Sequence, residues 1–188
     1  MEAFLISTGI VALAEMGDKT QLLALVLAAR FRKPWTIALG ILTATLVNHA
    51  IAAAVGAWVT TQLGPDVLRW VLGVSFIAMA LWMLIPDKLD DGAVQTAHAG
   101  VFVTTVVAFF LAEMGDKTQV ATVMLAARYE GYLVWVIAGT TLGMMLANAP
   151  VVWLGERITR MVPIRIVHRV SAVIFAVLGV TALSGWGA

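Results

Sequence analysis

A nine-residue segment that contains three charged residues occurs twice in this chain without a single change. LAEMGDKTQ spans residues 13–21 and again residues 111–119. Identity over nine consecutive positions is not a product of composition bias, so we infer that the chain consists of two copies of one structural unit. Further pairs continue the match at a slightly larger offset: Trp35 and Trp135, Ile37 and Ile137, Asn48 and Asn148, and Arg69 and Arg169.

Most of the chain outside these two segments is apolar. Of its 188 residues, 61% are hydrophobic and 12% are charged, and the mean hydropathy is +0.95. Such a chain has too little polar surface to cover a water-soluble globule, which predicts an all-α membrane protein. The formal net charge of +1 provides no basic surface for a nucleic-acid partner. The absence of cysteine excludes thiolate metal sites and thiol nucleophiles.

The apolar runs predict six transmembrane helices with short connections. A membrane-spanning helix uses roughly 20 apolar residues, so six of them fill the chain. Each repeat then contains three helices, and because three is odd, the second repeat is inverted in the membrane relative to the first. The predicted domains are a first three-helix repeat over residues 1–86, a cytoplasmic linker over 87–99 and a second three-helix repeat over 100–188. The predicted spans cover residues 3–29, 35–61, 67–86, 100–128, 132–155 and 166–186.

Basic residues outside the repeated segments fall mainly on one side of this six-span arrangement. Only Arg69 and Arg128 lie on the other side. Positive residues favour the cytoplasmic side, so we expect both termini to be external. The basic residues from 157 to 169 are expected to contact anionic lipid headgroups. The residues of the cytoplasmic group are Arg30, Arg32, Lys33, Lys88, Arg157, Arg160, Arg165 and Arg169.

The charges of the two repeated segments are flanked on both sides by apolar helix. An Asp, Lys or Arg at the centre of a span costs about 2.5 to 3.5 kcal/mol. Six such residues exposed to lipid would cost on the order of 15 to 20 kcal/mol, which exceeds the stability of a typical domain. They must therefore face one another, water or an ion. The six are Glu15, Asp18, Lys19, Glu113, Asp116 and Lys117.

Helical spacing suggests how these side chains meet. In a continuous helix, Asp18 and Lys19 would project from the same face as Glu15, because they follow it by three and four residues. Gly17 and its counterpart Gly115 either let another backbone approach closely or allow the helix to loosen there and direct free carbonyls inward. In either case the inverted repeat is expected to bring four carboxylates together near the midplane of the membrane: Glu15, Asp18, Glu113 and Asp116.

Four carboxylates held close together repel one another, so either protons or a divalent cation must neutralise them. Exchange of one for the other is the chemistry of a cation/proton antiporter. Hard oxygen ligands without thiolate favour Mn2+, Ca2+ or Mg2+. We expect Lys19 and Lys117 to offset part of the charge and so to ease release. Carbonyl oxygens that can complete the ion shell come from Gln21, Gln119, Asn48 and Asn148.

These residues carry a resemblance to the GDT family of membrane cation transporters, whose hallmark is E-x-G-D-[KR]-[ST] once in each half. Residues 15–20 and 113–118 fit this pattern without departure. The resemblance covers the whole chain and implies Mn2+ export from a bacterial cell across its inner membrane, with Ca2+ as a second cation that members exchange for protons. It implies no cofactor and no enzymatic activity. It also implies that the four acids bind metal and protons, while Lys19, Lys117, Thr20 and Thr118 tune or gate the site.

Two other classes of protein compete with this interpretation. An intramembrane aspartyl protease uses paired acids in a G-x-G-D motif, but Glu15 stands where that motif has glycine and a lysine follows each Asp. An exporter of amino acids or other small solutes has a similar repeat, but four acids along the path disfavour it. His49 lies within the second span and its counterpart is Ala149, so it is interpreted as either a proton-relay residue or a packed histidine.

Overall fold

The described part of the chain is helical apart from short connections, which confirms the prediction of an all-α protein. The computed structural model describes residues 1–85, 100–155 and 164–185. The predicted linker over residues 87–99 and the basic residues Arg157 and Arg160 lie outside these ranges. Eight helices are present in the described residues: α1 (Glu2–Glu15), α2 (Lys19–Phe31), α3 (Pro34–Gln62), α4 (Pro65–Trp82), α5 (Val101–Glu113), α6 (Lys117–Arg128), α7 (Leu133–Leu154) and α8 (Ile164–Ser184).

Four of these helices, α3, α4, α7 and α8, are long and apolar enough to cross a membrane. They agree with the second, third, fifth and sixth predicted spans to within a few residues at each end. Pro34 and Pro65 begin α3 and α4, where a missing N–H is tolerated because the first helical turn leaves its donors unpaired. Local sequence therefore determines where these two helices begin.

The first and fourth predicted spans are each broken in the middle. Helix α1 ends at Glu15 and α2 begins at Lys19, while α5 ends at Glu113 and α6 begins at Lys117. Between the first pair, Gly17 has a φ of 84° and Asp18 is extended at the N-cap of α2. The prediction of one continuous helical face for Glu15, Asp18 and Lys19 is therefore wrong. The helix loosens at Gly17, which is one of the two roles expected for this glycine.

The break in the second half depends on the backbone freedom of Gly115. Its φ is 76°, a conformation that residues with a Cβ disfavour. The space around it is open, since no atom lies within 4 Å of the position that a Cβ would take. We expect Gly115→Ala to lower the free energy of unfolding by about 1 kcal/mol through backbone strain alone. Gly9→Ala, in a helix with equally open space, is expected to be neutral or stabilising. Thermal unfolding midpoints in detergent compare the two, and equal midpoints would contradict the strain at Gly115.

Each half of the chain contributes one long helix that packs along the broken helix of the other half. A Cβ on Gly139 would lie 2.5 Å from Phe4 O, and one on Gly143 would lie 2.6 Å from Thr8 O. Helix α7 therefore runs alongside α1 in the same direction, at a close approach that only glycine permits. Helix α3 runs in the same way along α5 and then α6. The remaining helices α4 and α8 pack against each other in opposite directions, with Phe76 close to Phe175.

Candidate metal centre

Three buried carboxylates from the two halves of the chain converge where the broken helices meet. Glu15 ends α1, Glu113 ends α5 and Asp116 immediately precedes α6. One carboxylate oxygen of each lies within 4.8 Å of the other two, and no side chain of the three is more than 3% exposed. Because Ca2+ bonds its oxygen ligands at roughly 2.3 to 2.6 Å, two ligands of one ion can lie about 5 Å apart. The three carboxylates are close enough to share one cation.

Hydroxyl and amide donors engage one oxygen of each glutamate and leave the other for a ligand. Thr20 Oγ1 donates to Glu15 Oε2 at 2.6 Å, and Thr118 Oγ1 donates to Glu113 Oε2 at 2.8 Å. Asn148 Nδ2 also donates to Glu15 Oε2, at 3.3 Å. Among the residues that the structure describes, Oε1 of each glutamate is buried without a hydrogen-bond partner. Such an oxygen is destabilising when ionised, and a cation or a proton offsets that destabilisation.

The two glutamines of the repeated segments stabilise the helix breaks. Gln21 Oε1 accepts a hydrogen bond from the Gly17 N–H at 2.9 Å, and Gln119 Oε1 accepts one from the Gly115 N–H at 2.7 Å. Gln21 Nε2 donates to Ala147 O in α7 at 2.9 Å. These bonds satisfy backbone donors that a broken helix leaves without an intrahelical acceptor. In this arrangement both glutamine oxygens serve the backbone, and their participation in an ion shell stays a prediction.

The two lysines have different partners although their local sequences are identical. Lys19 Nζ lies 3.1 Å from Asp116 Oδ1, and its side chain is 22% exposed. Lys117 is buried, and its Nζ donates to Ile85 O, just beyond α4, at 2.8 Å. A cation that binds Asp116 must therefore compete with the ammonium of Lys19. The hydrogen bond from the Lys117 ammonium joins the second helix break to the end of the first half of the chain.

Two asparagines and one histidine from the long helices lie at the level of the breaks. Asn48 Nδ2 donates to Phe110 O at 3.1 Å, and Asn148 Nδ2 donates to Glu15 as described above. Within the described ranges, Oδ1 of both asparagines is buried without a hydrogen-bond partner. His49 is also buried, and neither ring nitrogen has such a partner in this part of the chain. Both asparagines therefore connect a long helix of one half to a broken helix of the other.

The fourth predicted ligand, Asp18, is buried but does not belong to the converging group. Sequence reasoning also missed the backbone acceptors that hold the lysine and amide side chains, namely Ile85, Phe110 and Ala147. A carbonyl oxygen is present at every residue, so no side-chain signal could have identified these three. Only the packing of the helices selects them.

The charge of the converging group suits a divalent cation. When ionised, the three carboxylates and the Lys19 ammonium that pairs with one of them sum to −2, which one divalent cation balances. Protons can neutralise the same oxygens when the cation leaves. The ligands are hard oxygen atoms held on rigid helix ends, as Mn2+, Ca2+ and Mg2+ prefer. The arrangement can therefore bind a divalent cation and protons in alternation.

Comparison with protein families gives a match that covers nearly the whole chain. The model of the family described as "Divalent cation/proton antiporter GDT1" matches residues 3–91 and 101–186. Both broken helices and all three converging carboxylates fall inside the matched segments.

Individual relatives agree with this family match. A protein of Vibrio cholerae named "Putative manganese exporter" is 53% identical over 178 residues, which is 95% of this chain and 88% of that protein. A GDT1-like protein of Synechocystis is 22% identical over 97% of both chains. A GDT1-like protein of rice is 27% identical over 76% of this chain and 59% of its own length. No solved structure shows a significant match to the chain.

Proposed function

Because the chain belongs to the GDT1 family of divalent cation/proton antiporters, we propose that it exports Mn2+ in exchange for protons around a shared site of carboxylates. The family consists of transporters, so the chain is not an enzyme, and Mn2+ is its substrate rather than a cofactor. The export of Mn2+ in particular is supported by the name of the Vibrio cholerae relative. Ca2+, which also prefers hard oxygen ligands, is proposed as a second substrate.

The single observation that carries the proposal is the convergence of Glu15, Glu113 and Asp116 within 4.8 Å. These acids come from opposite halves of the chain and are buried between helices with apolar outer surfaces. Buried acids of this kind mark ion and proton pathways in membrane proteins. Because each glutamate has one oxygen held by a threonine and one available, we propose that Thr20 and Thr118 orient the ligands while Lys19 competes with the ion.

We propose that the architecture has six membrane crossings in two inverted repeats, residues 1–86 and 100–188, joined by a cytoplasmic linker over 87–99. Helices α1 and α2 have 14 and 13 residues, each shorter than a span, but together with their break they are long enough to cross. Helices α5 and α6 form the corresponding crossing in the second half. Two observations support this arrangement. Each long helix, α3 or α7, packs along the broken helix of the opposite half, and α4 packs antiparallel to α8. Both termini then face the outside of the inner membrane.

The differences between the two repeated segments support a mechanism of alternating access. Asp116 belongs to the converging group and pairs with Lys19, whereas its counterpart Asp18 lies outside the group. Two identical sequences in different arrangements are expected when a transporter occupies one of two states related by its internal symmetry. In the opposite state, Asp18 replaces Asp116 beside Glu15 and Glu113. All four carboxylates then serve the site over one transport cycle.

Coupling to protons can be tested in liposomes that contain the purified protein. We expect an acidic lumen to accelerate Mn2+ uptake, because protons that leave the lumen exchange for entering Mn2+, and an alkaline lumen to slow it. An ionophore that dissipates the pH difference should remove the acceleration, and parallel assays with Ca2+ give the relative rates for the two cations. Uptake that does not respond to the pH difference would contradict antiport and indicate a channel.

A further inference from the structure

A cavity of about 210 Å3 lies far from the carboxylates, between the first turns of α4, the end of α6 and the end of α8. Two arginines and one glutamate line it, Arg69 in α4, Arg128 at the last residue of α6 and Glu130 just beyond it. Leu68 and Leu72, on the same side of α4, contribute apolar wall. The cavity thus combines a charged part with an apolar part.

The guanidinium of Arg69 has a buried donor in this cavity. Its Nε is buried and lacks a hydrogen-bond partner among the described residues. Arg69 Nη1 lies 3.2 Å from the position that a Cβ would take on Gly185, where φ is 72°, so the absence of a side chain there makes room for the guanidinium. A buried charged donor without an acceptor is destabilising, and an anion would offset this. The planar fork of arginine suits an oxyanion that accepts two parallel hydrogen bonds.

The charges around the cavity limit which anion fits. Two guanidinium groups and one carboxylate line it, so the lining favours an anion such as a phosphodiester. Leu68 and Leu72 offer an apolar surface beside the charges, as an acyl chain would require. The first turns of α4 also carry the exposed Trp70. Tryptophan is enriched where the membrane meets water.

We propose that this cavity binds a phosphate group, with Arg69 as its principal ligand and a membrane phospholipid as its source. A bound phosphate would connect the first turns of α4 to the ends of α6 and α8. It would therefore stabilise the arrangement in which the end of the second broken helix lies against the α4 and α8 pair. Neither the carboxylate site nor its lysines take part in this contact.

Native mass spectrometry of the full chain in non-ionic detergent, titrated with short-chain phosphatidylglycerol, tests the proposal. We expect the lipid to bind the unmodified protein at least about ten times more tightly than Arg69→Gln, since a charge-assisted fork is lost. Arg69→Lys retains the charge but not the fork, so its affinity should be intermediate. The matched control is Arg32→Gln, which makes the same change at an exposed arginine that follows α2 and should bind as the unmodified protein does.

Competition by inorganic phosphate distinguishes the two sources of the anion. If inorganic phosphate displaces the lipid and its own binding depends on Arg69, the cavity recognises the phosphate group itself. If it does not displace the lipid, the phospholipid is the ligand and its acyl chains contribute. Equal affinities for the unmodified protein, Arg69→Gln and Arg69→Lys would overturn the proposal. An equal loss in Arg32→Gln would also overturn it, because binding would then follow net charge alone.

Discussion

Replacing Glu113 by glutamine is expected to reduce Mn2+ transport at least about 100-fold while the protein still inserts and folds. The amide has nearly the same shape as the carboxylate and can still accept the hydrogen bond from Thr118. It removes one negative charge from the converging group and cannot exchange a proton in the accessible pH range. Both the cation and the proton lose a binding group, so the exchange should fail in either direction. Glu15→Gln should behave in the same way, because Glu15 is held by Thr20 in an equivalent position.

The measurement is initial Mn2+ uptake by proteoliposomes that contain equal amounts of protein. Glu2→Gln provides the matched control, because it makes the same chemical change at an exposed glutamate outside the converging group. We expect this control to retain transport and a similar elution profile in size-exclusion chromatography. Substantial Mn2+ flux through Glu113→Gln would remove that residue from the site.

Lys19→Gln is expected to bind Mn2+ about tenfold more tightly and to turn over more slowly. The ammonium lies 3.1 Å from Asp116 Oδ1, so an incoming cation must displace it, and the same ammonium assists release when it returns. Removal of one charge-assisted contact of a partly exposed group corresponds to about 1.4 kcal/mol, or roughly a tenfold change in affinity. If the variant stabilises bound Mn2+ without equally stabilising the transition state for its release, Mn2+ leaves more slowly.

Equilibrium Mn2+ binding and transport rates, measured on the same preparations, separate these two effects. Lys33→Gln is the matched control, since Lys33 is exposed at the start of α3 and contacts no carboxylate of the site. Lys117→Gln should lower the thermal unfolding midpoint, because the Lys117 side chain is buried and its ammonium donates to Ile85 O. Weaker Mn2+ binding in Lys19→Gln would contradict competition and assign the lysine a supporting role.

The sequence predicted the helices and the acids of the site because both depend on local patterns. Helices α3 and α4 begin at prolines that precede apolar runs. The repeated segment, flanked by apolar residues, identifies Glu15 and Glu113 as buried charges. The break itself was only one of two predicted arrangements, although its signal is present. Glycine followed by aspartate is a favoured way to end one helix and begin the next, because Gly17 adopts a positive φ and Asp18 takes the N-cap position.

The asymmetry of the site could not have been predicted from the sequence. Lys19 and Lys117 stand in identical nine-residue segments, so no local rule can predict that the Lys19 side chain is 22% exposed while Lys117 is buried. The same holds for Asp18 and Asp116, of which only the second joins the converging group. These differences arise from the packing of the two halves, which depends on every helix contact at once.

Titration of the purified protein with Mn2+ in weakly buffered solution, with simultaneous measurement of pH, tests the central claim most directly. If cation and protons share the same carboxylates, each bound Mn2+ should displace protons into the solution. The double variant Glu15→Gln with Glu113→Gln should show neither binding nor release. Mn2+ binding of unchanged affinity in that variant, or binding by the unmodified protein without any release of protons, would contradict the account.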